Sequence, residues 1–99
     1  MNEICPKFEA AIKILGKRWM GLIVYQLLTG PKRFSELGKE AHISAKILSE
    51  RLKELEKEDI IVRAVYAETP VRIEYSLTKK GFALKPVMDA IQEWADQCI

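Results

Sequence analysis

Residues 34–57 read FSELGKEAHISAKILSERLKELEK, and the spacing of apolar side chains in this stretch decides the fold. Ser44 is a natural cap for a helix over 45–57, in which Ala45, Leu48, Leu52 and Leu55 form one stripe. Lys46, Ser49, Glu50, Lys53 and Lys57 form the opposite one. Upstream, Phe34 precedes Ser35, itself a good cap, and a short helix from Glu36 to about Ala41 turns Leu37 and Ala41 inward. Gly38 weakens that helix by about 1 kcal/mol of propensity. The chain turns between the two through His42-Ile43, where His42 reads as a turn residue and not as a ligand. Two helices joined by a tight turn make a helix-turn-helix.

Toward the N-terminus, Pro6 suits the first position of a helix capped by Cys5, with Phe8, Ala11, Ile12 and Leu15 at helical spacing and Gly16 as its end. Lys17 to Leu28 is apolar nearly all round and reads as a buried central helix stopped by Thr29-Gly30-Pro31. Toward the C-terminus the period changes. Ile61–Tyr66 is β-branched and aromatic, Ala67–Pro70 is a loop, and Val71, Ile73, Tyr75 and Leu77 alternate with Arg72, Glu74 and Ser76, which predicts an antiparallel hairpin. Thr78 caps a last helical region in which Pro86 predicts a break or kink. Beyond it Val87, Ile91, Trp94 and Cys98 share a face. This order predicts an α+β, mainly α fold: a winged helix-turn-helix over residues 1–99 as one domain, with a two-stranded β-wing.

Composition narrows the function. A chain of 99 residues, 48% apolar and 30% charged, is one small domain that withdraws only about 60–65% of its unfolded surface from water, so self-association is expected. The formal charge of +2 is too mild to announce nucleic-acid binding by itself. Residues 1–31 carry four basic and two acidic groups, 32–57 seven and five, and 58–99 five and seven, so the positive excess lies in the first two thirds. No apolar run of about 18 residues could span a bilayer, and the first residues lack a basic start and apolar stretch, so a cytoplasmic protein with no membrane partner is expected. One histidine, two distant cysteines, no glycine-rich phosphate loop and no Cys-x-x-Cys argue against an enzyme, a cofactor or a metal site.

DNA is the partner this architecture suggests. Lys46 and Lys53 suit phosphates or guanine edges, Ser44 and Ser49 are short donors near the helix axis, and Glu50 can accept from cytosine N4. Arg72 at the hairpin end is placed to reach a minor groove, and Lys32, Arg33 and Ser35 flank the start of the turn unit. The residues alone leave a plainer account open: a charged stripe opposite leucines is usually just a solvated face, with Lys46 and Glu50 as an i,i+4 pair. They also leave open a winged-helix module that binds only protein.

Cys5-Pro6, Leu15-Gly16-Lys17-Arg18-Trp19, Gly30 to Leu37, Ile43-Ser44, Arg51 to Glu56 and Glu74 to Thr78 together resemble the signature of the HxlR-type bacterial regulators, a MarR-like winged-helix family. Cys5-Pro6-Lys7, Glu68-Thr69-Pro70-Val71 and Trp94-Ala95-Asp96-Gln97 most resemble its quinone- and thiol-oxidant-responding YodB, CatR and QsrR group. The resemblance implies a homodimeric repressor on a palindromic double-stranded operator beside genes for oxidoreductases that detoxify quinones. It implies a dimer interface built from the first and last helices, with Phe8, Ile12, Val87, Ile91 and Trp94 as its apolar residues. It also implies that Cys5 is the position modified by quinone or another electrophile. A helix N-terminus and Lys7 favour the thiolate there, which agrees, although a cysteine that merely packs as a small hydrophobe is the plainer alternative. Related sensors carry a second thiol near the end of the last helix, so an intersubunit bond between Cys5 and Cys98 is a further expectation. A regulator without thiol sensing remains the alternative.

Overall fold

Ser44 does cap the second helix of the motif: its Oγ accepts the Ile47 N–H at 3.2 Å. In the computed structural model, which describes residues 5–99, the elements run α1 (Pro6–Leu15), α2 (Met20–Leu27), α3 (Phe34–Ala41), α4 (Ala45–Lys57), β1 (Ile61–Tyr66), β2 (Arg72–Leu77), α5 (Lys79–Phe82) and α6 (Lys85–Cys98). This is the expected mainly helical winged helix-turn-helix, with β1 and β2 antiparallel in a register from Ile61 opposite Leu77 to Tyr66 opposite Arg72. Lys32 extends the sheet by one bridge, exchanging backbone hydrogen bonds of 2.9 and 2.8 Å with Tyr75.

Leu48, Leu52 and Leu55 of α4 are buried in one core with Ile23, Val24 and Leu27 of α2 and Leu37 of α3. Ile60, Ile61, Tyr75 and Leu77 close the core from the wing side. Ala45 is exposed, because it lies in the first turn of α4 before the helix reaches the core, so the buried stripe starts at Leu48.

Two helix starts differ from those the sequence predicts. The second helix begins at Met20, not Lys17: Trp19 adopts φ 78°, a left-handed conformation that costs an aromatic residue on the order of 1 kcal/mol and that no helix can include. The cap of α3 is Arg33, not Ser35, because the Glu36 carboxylate accepts the Arg33 N–H at 2.8 Å and draws Phe34 and Ser35 into the first turn. At Pro86 the expected interruption takes the form of a break and not a kink. Thr78 caps the short α5, with its Oγ1 accepting the Gly81 N–H at 3.0 Å, and Pro86 sits in the first turn of a separate α6, where its missing N–H is no loss.

The radius of gyration is 14.8 Å, against about 13 Å for a compact chain of this length, and the long axis spans 57 Å. The excess comes from helices that pack along only part of their length. No residue of α1 is buried, and Met88 is the only buried residue of α6.

Two glycines in this frame behave oppositely. A Cβ on Gly81 would overlap the Ile60 carbonyl oxygen and press on Leu77, whereas Gly21, inside α2, has open space beside it. Gly81→Ala is expected to destabilise by about 2 kcal/mol or more and Gly21→Ala to stabilise by about 0.5–1 kcal/mol. Urea unfolding at fixed protein concentration checks both.

Candidate nucleic-acid interface and thiol positions

The outward face of α4 is set by its buried leucines. Lys46, Glu50 and Lys53 are exposed and Ser49 is half-buried on that face. Lys46 and Lys53 are seven residues apart, which places their stems on nearly one line, about 10.5 Å apart along the axis. Among the described residues neither ammonium has an ion-pair partner: Glu50 has its nearest cation in Arg51, at 4.0 Å, and not in Lys46. The hydroxyl of Ser44, at the start of the same helix, already accepts one backbone hydrogen bond and keeps its proton to donate outward.

The flanking residues divide. Arg33 and Ser35 are exposed at the start of α3. Lys32 is held at the end of α2, donating to Thr29 Oγ1 at 3.0 Å beside a groove lined by Leu22, Tyr25, Gln26 and Glu40. Arg72 is not the free probe that its place in the sequence suggests. Its Nη2 pairs with Glu68 at 2.9 Å, its Nη1 with Glu74 at 2.7 Å, and its guanidinium lies 4.0 Å from the centre of the Tyr66 ring. The two carboxylates fix the arginine in its cationic form, and its hydrogen bonds hold the Glu68 carboxyl below its ordinary value; Arg33 adds a weaker pull. Arg72 therefore braces the wing tip. On the neighbouring strand Arg63 is exposed.

A second cluster, not expected from the sequence, joins α4 to the turn between α1 and α2. Arg51 Nε donates to the Arg18 carbonyl at 3.0 Å, and its Nη1 lies 3.3 Å from Glu54 Oε1, which also takes Lys17 Nζ at 2.9 Å. The signal was present: Arg51 stands three residues after Leu48 and four before Leu55, so it borders the apolar stripe, where a charge needs partners.

The five apolar residues of α1 and α6 are all exposed: Phe8 64%, Ile12 52%, Val87 42%, Ile91 53% and Trp94 60%. Pro86, Val87, Ala90, Ile91 and Trp94 line one open, almost wholly apolar groove along α6. The thiols lie at opposite ends of these helices. Among the described residues Cys5 caps α1 without a hydrogen bond from its side chain, Cys98 ends α6, and both are exposed free thiols. Among the described residues no three His, Cys, Asp or Glu side chains gather as a metal site would require, and no helix is long and apolar enough to cross a membrane.

Comparison with known proteins agrees with this architecture. A family model described as HxlR-like helix-turn-helix matches residues 14–99. The HTH-type transcriptional regulator YvaP of Bacillus subtilis is 56% identical over 99 residues, covering 99% of this chain and 92% of that protein. The HTH-type transcriptional regulator YodB of the same organism is 54% identical over 97 residues, 97% of this chain and 87% of YodB. The reduced form of YodB superposes with a TM-score of 0.87 at 52% identity, covering 97% of this chain and 95% of that one. Quinone-bound YodB gives 0.83 at 49% identity, covering 95% and 99%.

The wing-tip pairing has a measurable signature. The Glu68 carboxyl is expected to titrate below 4.5 by carboxyl-detected NMR and to return to the ordinary range in Arg72→Gln. Because the folded value is the lowered one, the pair's contribution is complete above the ordinary carboxylate range and disappears as pH falls through the lowered value.

Proposed function

Since this chain belongs to the HxlR-like helix-turn-helix family of transcriptional regulators, we propose that it is a homodimeric repressor, one winged-helix unit per chain, that reads a palindromic operator with α4 and responds to electrophiles through Cys5. The observation that carries the DNA reading is the α4 face. Among the described residues Lys46 and Lys53 stand exposed and unpaired on it, while Arg51 and the wing's Arg72 are consumed by internal carboxylates. Phosphate oxygens are the partners those ammonium groups lack, with Ser44, Ser49, Ser35 and Arg33 at the margins of the same surface.

The dimer is supported by the apolar faces of α1 and α6, which a second copy related by a two-fold axis would cover. Two α4 helices then meet half-sites about 34 Å apart. Regulation is supported by the placement of Cys5 at the far end of α1, exposed and without a side-chain hydrogen bond, and by the quinone-bound structure known for YodB. In the proposed step the thiol adds to a ring carbon of a benzoquinone. One C–S bond forms, and the thiol proton and the displaced ring proton end on the two oxygens, giving a hydroquinone thioether with no outside oxidant. The bulky adduct sits at the start of an interface helix and alters how the two copies meet, which moves the reading helices off their spacing. Oxidation that joins Cys5 to Cys98 of the partner subunit would act on the same helices. The cytoplasm, which holds the operator and keeps thiols reduced, is the compartment this reading requires.

Mobility-shift titrations on duplexes from the gene's own upstream region test the proposal. Lys46→Ala and Lys53→Ala are expected to weaken binding across sequences and to flatten the salt dependence by about one unit of slope per copy. The absence of any shift even at low salt, where phosphate contacts are strongest, would instead favour a protein-only module. Cys5→Ser is expected to bind normally but to stay on DNA when benzoquinone is added. Release of that variant by quinone would overturn the sensing role. On non-reducing gels after diamide, the wild type is expected to run as a linked dimer and Cys98→Ser as a monomer.

A further inference from the structure

We propose that Arg51 and Glu54 are positioning residues: by clasping the turn between α1 and α2 they fix the angle of α1 to α4, and so set the span between the two reading helices of a dimer. The inference rests on the DNA-binding homodimer proposed above. α1 has no buried residue, and only Ile14 and Leu15, in its last turn, pack against the core. Its direction therefore depends on the segment that follows, Gly16 to Trp19.

That segment is gripped from α4 at two successive residues. Arg51 donates to the Arg18 carbonyl at 3.0 Å, and Glu54 takes Lys17 Nζ at 2.9 Å while also holding Arg51 Nη1 at 3.3 Å. One carboxylate oxygen thus joins both grips. Arg51 is nearly covered, its side chain 14% exposed, so its guanidinium has little water to fall back on if it lets go. The turn itself is bent hard. Trp19 holds φ 78°, with the Arg18 guanidinium 4.7 Å over its ring. A left-handed aromatic residue persists only where its surroundings over-determine it: Trp19 packs against the core, and the clasp holds the two residues before it.

The lever arm makes the clasp consequential. A helix of ten residues is about 15 Å long, so a 10° swing at the turn moves its far end by about 2.6 Å. One base pair of DNA is about 3.4 Å, so a loosened turn blurs the dimer's span by nearly one base pair, and two-fold symmetry repeats the error in the other copy. A residue that only stabilised the fold would lower affinity for every duplex alike.

The test is a spacer series with the full-length dimer. The probes are the duplex that the wild type protects upstream of its own gene and two versions with the half-site spacing longer or shorter by one base pair. The wild type is expected to prefer the native spacing by about tenfold or more, and Arg51→Met and Glu54→Gln to prefer it by less than about threefold. Lys17→Met, which changes an exposed side chain outside the core, is expected to lie between them; far-UV circular dichroism and gel filtration establish that each variant is a folded dimer. If folded variants discriminate among the three duplexes by the wild-type ratio, whatever their absolute affinity, the clasp is only structural and the proposal is overturned. If the wild type protects no duplex at all, the DNA-binding reading on which it rests fails instead.

Discussion

The burial of Leu48, Leu52 and Leu55 on one side of α4 decides which way every other residue of that helix faces. Each leucine contributes about 1.5–3 kcal/mol on leaving water. A surface pair such as Lys46 with Glu50 is worth a few tenths, and here it does not even form. Turning the helix by one residue, about 100°, would expose the leucines and bury charge. Lys46 and Lys53 are thus presented to solvent by residues they never touch. The strength of the apolar side is what leaves the polar side free to carry a function.

The same arithmetic runs out at the ends of the chain. Helices α2, α3 and α4 and the base of the wing exhaust the core, and α1 and α6 touch it through little more than Ile14, Leu15, Leu84 and Met88. Their remaining apolar residues lie on open faces, which is why the molecule is longer than a compact chain of its size. Covering by a second copy, as proposed, answers a shortage of core rather than an excess of surface.

Local rules with a single cause were readable in advance. The Ser44 cap, the leucine stripe beyond Ala45 and the alternation that makes the hairpin each depend on residues close in sequence, and each formed. What was illegible depends on which of several available partners a charged group takes, and in one case on a partner far along the chain. Trp19 leaves the helical region although Arg18 and Met20 on either side are helix-compatible; the turn it makes is braced by Arg51, 32 positions later. Arg72 looked like a free wing residue because nothing in its alternating strand announces that Glu68, across the tip, folds back onto it. Arg33 took the cap expected of Ser35 because the deciding group, Glu36, acts on whichever N–H lies three residues before it. The outward face of α4 was legible for the same reason as the core, since one is the complement of the other; the residues that brace the candidate interface were not.

Charge explains why geometry matters so much for a chain of formal charge +2. Lys17, Arg51, Arg72 and Lys85 are each tied to a carboxylate. The cations left on α4 are few, and each phosphate neutralised returns only a modest amount of counterion entropy. One copy carrying so few of them would hold DNA weakly. Two copies joined rigidly make the second contact intramolecular, a gain that depends on the span fitting the half-sites and that vanishes when it does not. A strongly basic protein tolerates a loose linkage, because its affinity survives misalignment. A nearly neutral one has no such reserve, so in the proposed reading its affinity for an operator is held in the stiffness between α1 and α4, and whatever disturbs α1 is felt at the DNA.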